Sequence, residues 1–289
     1  IATLALAVMA GIGYLALYKF QNTGDMLYRL TKIIPAPVAT IDGAKVRYSD
    51  YLMIYKSSIK PLEQQKQLGD DKDSETMRVH YKREALNEAE NYTYALKLAE
   101  ELGVKVSDKA VERAILRHRK AGGLDRSNES FEKVLHDNFG LTKSEYKRLI
   151  YLGLAKAEVA QKIDKKAEKI ADEVQEKLKT EKDMEKVAKE MGKKVAYEQT
   201  GGMVDEMNID GGRATVARKM KEGEVSKRIL ASGGDGYYFV KLLRKKDKNI
   251  EYESIKINLS EFNDKLKMLR KDNKVTERIV LAENKVWYN

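Results

Sequence analysis

The sequence predicts a mainly α-helical protein with a smaller α+β domain and an N-terminal transmembrane helix. Three observations carry this. An uncharged apolar run opens the chain; apolar side chains then recur at spacings of three and four; and from about residue 163 glycine pairs and short alternating segments take over. The 289 residues suit two domains plus an anchor. A content of 42% hydrophobic and 35% charged residues, with only 3 Pro, reads as folded and helix-rich rather than disordered.

The run Ile1–Tyr18 (IATLALAVMAGIGYLALY) has no charge. As a helix it would reach roughly 27 Å, near the thickness of a hydrocarbon core, with Tyr14 and Tyr18 suited to an interface. Residues 1–20 are therefore expected to anchor the chain in a membrane as a single pass. The rival reading is a signal-peptide core with a small-residue site at Val8-Met9-Ala10. The chain opens without Met, so further residues, and a longer span, are expected upstream. Lys19, Arg29 and Lys32 follow the span, but the opposite flank is not seen, so charge does not fix orientation.

A juxtamembrane linker, 21–37, ends in Pro35-Ala36-Pro37, which favours extended backbone. Apolar alternation on either side of Asp42-Gly43 predicts a hairpin from Val38–Ile41 and Lys45–Arg47. Ser49 is expected to cap a helix bearing Tyr48, Tyr51, Leu52, Tyr55 and Ile59 that stops before Pro61, with a polar surface loop over 62–76. A long helix over 77–102 ends at Gly103. Ser107 caps the next, with Val111, Ile115 and Leu116 inward and Gly122-Gly123 closing it. Another helix, 128–138, ends at Gly140. Thr142 and Glu145 then form a capping box, with Leu141 and Tyr146 placed as a hydrophobic staple, for a helix carrying Leu149, Ile150, Ala157 and Ala160.

Beyond 163 the elements shorten. A charged amphipathic helix (Ile163, Ala167, Ile170, Val174, Leu178) and a short one (Met184, Val187, Met191) precede a strand around Val195–Tyr197. Gly201-Gly202 and Gly211-Gly212 bracket a loop, a helix follows at 214–221, and Gly233-Gly234-Asp235-Gly236 turns into the strand Tyr237–Leu243. A last strand (Ile255, Ile257, Leu259), a helix near 261–272 and an apolar tail ending in Val286-Trp287-Tyr288 complete the chain.

Composition excludes several chemistries. There is no cysteine, hence no disulfide, thiolate nucleophile or Cys-based metal site. The net charge of +10 is spread through mixed runs such as Glu181–Lys186, and the short basic runs Lys165-Lys166 and Arg244–Lys246 have no nucleic-acid motif beside them. No P-loop, dinucleotide fingerprint or metal-ligand spacing occurs, so no cofactor, no metal and no nucleic-acid partner are expected. His80, His118 and His136 lie in the helical half and read as ordinary helix-face residues.

Three ordered pieces resemble the N-terminal chaperone domain of the SurA/PpiD/PrsA family: Val38–Gly43 with Val46 and Ser49-Asp50; Leu102–Asp108; and Phe139–Tyr146. The second half is similar to a parvulin-type prolyl isomerase through Gly201-Gly202, Gly223-Glu224-Val225-Ser226 and Gly236–Lys241. The resemblance implies a helical chaperone domain over 38–162, a parvulin-like antiparallel-sheet domain over 163–248 and a C-terminal segment, 249–289, that completes that sheet or packs on the N-terminal domain. It also implies that the tail Val286-Trp287-Tyr288 folds back on the N-terminal domain.

Carried onto this sequence, the family's catalytic positions are altered. The histidine of the last strand corresponds to Tyr238, the acid or thiol position falls near Lys194, the pocket phenylalanine on Arg213 and the pocket methionine on Ile209. A helix stands, beginning at Ile163, where the opening strand with the other histidine is expected. Rotation about a prolyl bond is limited by amide resonance, and its catalysis needs a desolvated amide and an apolar grip on the ring. A pocket with Arg213 and Lys194 would be wet and cationic, so an inactive isomerase site is expected. Glu251–Leu259 either joins the sheet in place of the missing strand or forms a separate hairpin element.

The implied function is a membrane-anchored extracytoplasmic chaperone, on the periplasmic or cell-surface side, whose partners are unfolded or exported polypeptides and, through residues 1–20, membrane lipid. Tyr48, Tyr51, Tyr55, Tyr92 and Tyr146 are candidates for client contact, since tyrosine offers large area at small rotamer cost; the bland alternative is that they are core. Two other functions stay open: an active divergent parvulin-type isomerase, and an accessory subunit of a membrane protein complex.

Overall fold

The computed structural model describes residues 11, 13–120, 126–206, 208, 210–231 and 234–281. It is mainly helical and divides into two compact units. Of the expected span Ile1–Tyr18, residues 1–10 and Ile12 lie outside the described residues, as do Gly122-Gly123 and Val286-Trp287-Tyr288. Leu15–Lys19 form one π-helical turn. Among the described residues no helix is long and apolar enough to cross a membrane.

The first unit takes the described residues within Ile1–Lys97, Asn128–Leu149 and Leu266–Asn289. The stretch read as a linker holds a helix, α1 (Asp25–Ile33). Strands β1 (Pro37–Ile41) and β2 (Ala44–Arg47) form the expected hairpin, with Asp42 and Gly43 both at positive φ. A short strand near the C-terminus, β7 (Val275–Glu277), pairs with β1 on its other side, giving the order β2-β1-β7. Residues 275–277 of the C-terminal segment thus belong to the N-terminal sheet. Helix α2 (Tyr48–Gln64) departs from expectation at both ends. It starts without a side-chain cap, because the Tyr48 amide donates to the Ala36 carbonyl at 2.9 Å and β2 runs straight into the helix; Ser49 lies buried inside the first turn. Pro61 does not stop it either, since proline's fixed φ is helical and only one backbone bond is forgone near the end.

The expected loop 62–76 shrinks to 65–71, for α3 (Lys72–Leu102) starts early. Asp71 is the reason: its carboxylate accepts from the Ser74 amide at 2.9 Å and its carbonyl from the Glu75 amide at 3.1 Å. Helix α4 (Asp108–Arg119), in the second unit, is capped by Ser107 as expected, but its buried stripe is Val111 and Ala114. Leu116, two positions on, falls on the outer face. Helices α5 (Asn128–Phe139) and α6 (Lys143–Ile163) follow. The capping box of α6 is formed: Glu145 Oε2 accepts from the Thr142 amide at 2.7 Å, and Thr142 Oγ1 from the Glu145 amide at 3.3 Å.

The second unit comprises the described residues within Leu98–Ser127 and Ile150–Lys265. Ile163 ends α6 rather than beginning the next helix, and α7 (Lys165–Thr180) starts after Asp164. After α8 (Met184–Met191) come β3 (Ala196–Gln199), α9 (Arg213–Ala217, shorter than the 214–221 expected), β4 (Ile229–Leu230), β5 (Gly236–Lys246) and β6 (Asn249–Asn258), and then α10 (Glu261–Lys271). The sheet is antiparallel throughout, ordered β3-β6-β5-β4. Residues 249–258 are therefore an inner strand flanked by β3 and β5, and the separate-element alternative falls. Burial explains the place: Ile250, Tyr252, Ile255 and Ile257 are all buried, which only an inner strand covered on both faces allows. Close approach explains the glycine cluster before β5. A Cβ on Gly234, whose φ is +66°, would lie 2.6 Å from Ala157 Cα, and one on Gly236 would lie 2.6 Å from the Ile257 carbonyl oxygen.

Candidate functional site

Neighbouring residues on a strand face opposite sides of a sheet. Tyr237 faces the α7 side, where Arg228 lies over its ring at 5.1 Å and is itself paired with Asp172 of α7. Tyr238 faces α9. On that second face Val240, Leu242, Ile250 and Tyr252 pack with Ala214, Ala217 and Met220. The Gly223–Ser226 motif runs along the edge of β5, its Ser226 amide donating to the Val240 carbonyl at 2.7 Å.

Register places Tyr238 opposite Lys256 of β6 and Ile229 of β4. Its hydroxyl donates to Asp235 Oδ2 at 2.8 Å, and Lys256 Nζ lies 2.8 Å from the same oxygen. The Arg213 guanidinium covers the Tyr238 ring, 4.4 Å from its centroid. It also pairs with Glu198 of β3 at 2.7 Å and with the Asp210 carboxylate, to which Tyr252 donates its hydroxyl. Two cations, three carboxylates and two phenols thus satisfy one another.

Protonation of Asp235, Lys256 and Tyr238 is fixed around neutral pH. Burial pushes the Asp235 carboxyl up, but hydrogen bonds from Lys256 and Tyr238 outweigh it and hold the group below its usual value. Burial would lower Lys256, yet Asp235 and Tyr238 carry it up to about 12. Tyr238 is raised, by burial first and by its bond to Asp235. None of the three changes protonation near pH 7. The apolar side chains of this face are used in the core beneath α9, and the ring of Tyr238 is covered by a cation.

Of the four positions singled out from sequence, the fold brings Arg213 and Tyr238 together. Lys194 is elsewhere: its exposed ammonium lies 3.3 Å from Glu173 of α7, the helix on the opposite face. Ile209 lies outside the described residues. Asp210, Asp235, Glu198, Tyr252 and Lys256 were not singled out from sequence. Asp235 is three residues from Tyr238, but the others stand 14 to 40 residues away: Asp210 comes from the loop before α9, and Glu198, Tyr252 and Lys256 meet there through strand register, whose one trace in the sequence is the alternation of Tyr197-Glu198 and Ser254–Lys256.

The tyrosines expected to contact clients are placed mostly inward. Tyr48 and Tyr51 are each 1% exposed and Tyr55 is buried too, because the helix docks that stripe inward. Tyr48 donates to the Leu17 carbonyl at 2.7 Å and stacks edge-on with Tyr51 at 5.5 Å. Tyr92 and Tyr146 are half-buried; Tyr146 stacks edge-on with Phe131 at 5.6 Å, and burial pushes its hydroxyl up to about 12. These side chains are core or its margin.

A family model described as a SurA-like N-terminal domain matches residues 1–160. The chain belongs to the SurA-like family. A second model, described as a PPIC-type PPIASE domain, matches residues 151–243. Together they make this a chaperone- or foldase-like protein of the SurA/PpiD/PrsA kind, with polypeptides as its class of substrate. No curated protein and no solved structure matches the chain. In this SurA-like chain the PPIC-type match ends on β5, so β6, which occupies an inner position of the sheet, comes from sequence beyond it.

Proposed function

We propose that this SurA-like chain is a membrane-anchored holdase, with its bulk on the extracytoplasmic side, that binds unfolded or exported polypeptides. Its PPIC-type domain then serves for binding or spacing and does not isomerise prolyl bonds. One observation supports the reading: Arg213, Asp235 and Lys256 close around Tyr238, the residue that the resemblance sets where the family has its last-strand histidine. Lowering a barrier of roughly 18–20 kcal/mol requires a dry amide held against apolar side chains. A ring covered by an ion-paired cation offers neither. The uncharged run Ile1–Tyr18 supports the anchor, the single pass and the lipid contact.

The test uses the full chain in lipid nanodiscs. Prolyl-peptide isomerisation is expected to proceed at the uncatalysed rate, while aggregation of a reduced, unfolded client is suppressed. Clear acceleration that Arg213→Ala abolishes would establish an active divergent isomerase instead. Failure to suppress aggregation would remove the holdase role.

A further inference from the structure

Helix α1 presents two surfaces of opposite character. Inward, the Tyr28 hydroxyl donates to Glu145 Oε1 at 2.5 Å, Lys32 pairs with the same carboxylate, and Thr31 is buried. Outward, Met26 is 86% exposed and Ile33 81%. Seven residues apart on a helix, they share one face, with Arg29 between them. Ile34 and Phe20, which flank the helix in sequence, are exposed too, as is Val280 (88%), whose carbonyl accepts from Gln21 Nε2 at 2.7 Å. A lone exposed apolar residue is ordinary, but a cluster on one short helix marks an interaction surface. The helix cannot hide it by rolling, since rotation would pull Tyr28 and Lys32 off Glu145.

Position and charge identify the occupant. Only six residues, 19–24, separate the apolar run ending at Tyr18 from α1, a reach of at most about 25 Å. Arg29 is exposed on this face, Lys19 directly follows the apolar run, and the chain carries a net +10. Short helices with large apolar side chains on one face and cations along it lie in the headgroup region of anionic bilayers. We infer that the Met26–Arg29–Ile33 face of α1, with Phe20, Ile34 and Val280, rests on an anionic lipid surface and fixes how the first unit stands on the membrane. This rests on the anchoring proposed above and adds a second, in-plane contact to it.

The chain has no cysteine, so single labels are unambiguous. Met26→Cys, Ile33→Cys and, as an aqueous control on exposed α3, Glu84→Cys are each made in the full chain. Each is labelled with an environment-sensitive fluorophore and reconstituted into phosphatidylcholine vesicles with and without phosphatidylglycerol. Labels at 26 and 33 are expected to be quenched by brominated acyl chains and to be at least about twofold less open to aqueous acrylamide than the label at 84. Arg29→Glu is expected to weaken that protection in the anionic vesicles. Carbonate washing separates this inference from the anchor. A chain that stays in the vesicles with positions 26 and 33 as open as 84 overturns the lipid contact alone. A chain that washes off, yet shows protection before the wash, upholds the contact and removes the anchor. Protection that persists in detergent-free protein without vesicles would mean that a second copy covers the face, and would overturn the inference.

Discussion

Histidine at position 238 would carry a ring nitrogen able to gain or lose a proton near neutrality; the phenol there keeps its proton through that range. The neighbours reinforce the difference. Asp235 draws the Tyr238 hydroxyl and the Lys256 ammonium to one oxygen, and Arg213 covers a face of the ring. That position 238 carries a phenol was visible in the residue type alone. Its consequence was not, because the side chains that neutralise the site come from β3, the loop before α9, and β6. Tyr238→Phe keeps the ring under Arg213 and removes only the hydroxyl, leaving Asp235 to Lys256. It should lower stability by about 1 kcal/mol, read as a shift in the urea midpoint with an unchanged slope.

Among the elements, helix starts divide into those read from local sequence and those set by tertiary contacts. Ser107 and the Thr142–Glu145 box are local, three or four residues long, and form as their sequence predicts. The start of α2 is decided by the Ala36 carbonyl, and Leu116 faces outward because the partner surface takes Val111 and Ala114. Asp164 shows a local cap enlisted for a distant element. Its Oδ1 accepts from the Ala167 amide at 2.9 Å and so starts α7; its Oδ2 accepts from Ser260 and Glu261 at 2.8 and 3.1 Å, where α10 starts. The residue is buried, so these three amides have no ready access to water. Asp164→Ala should cost about 2–3 kcal/mol in thermal or urea unfolding, more than one helix cap supplies, whereas Asp164→Asn should cost less because an acceptor remains.

For the molecule as a whole, two buried carboxylates of the first unit tilt stability in opposite directions with pH. Burial alone would raise Glu145, but hydrogen bonds from Lys32, Tyr28 and Thr142 hold it at about 2, against 4.5 when free. Its contribution is present above about pH 4.5 and is lost as pH falls toward 2. Burial drives Glu90 the other way, up to about 7, even though Oε2 meets Arg270 at 2.7 Å; Oε1 is buried without a partner among the described residues. Its contribution is present below about pH 4.5 and lost as pH rises through 7. Urea midpoints measured from pH 3 to 8 should fall toward both ends of the range. Glu145→Gln should flatten the acid limb and Glu90→Gln the limb between 4.5 and 7. Glu90 also ties the late segment to α3, alongside the pairing of Arg83 with Glu277 at 2.6 Å, which joins the two ends of the chain in one unit.

The sequence by itself determined the helical character of the first half, the hairpin at Asp42-Gly43, the local helix caps, the family and the presence of a tyrosine at position 238. All of these depend on residue identity or on spacings within a few positions. Only the tertiary structure decided that residues 249–258 enter the sheet between β3 and β5, that Tyr48, Tyr51 and Tyr55 are core, and that Tyr238 sits in a neutralised cluster with Lys256 and Arg213 but without Lys194. Those outcomes follow from which buried face meets which strand, a competition among segments far apart in the chain that no local pattern encodes.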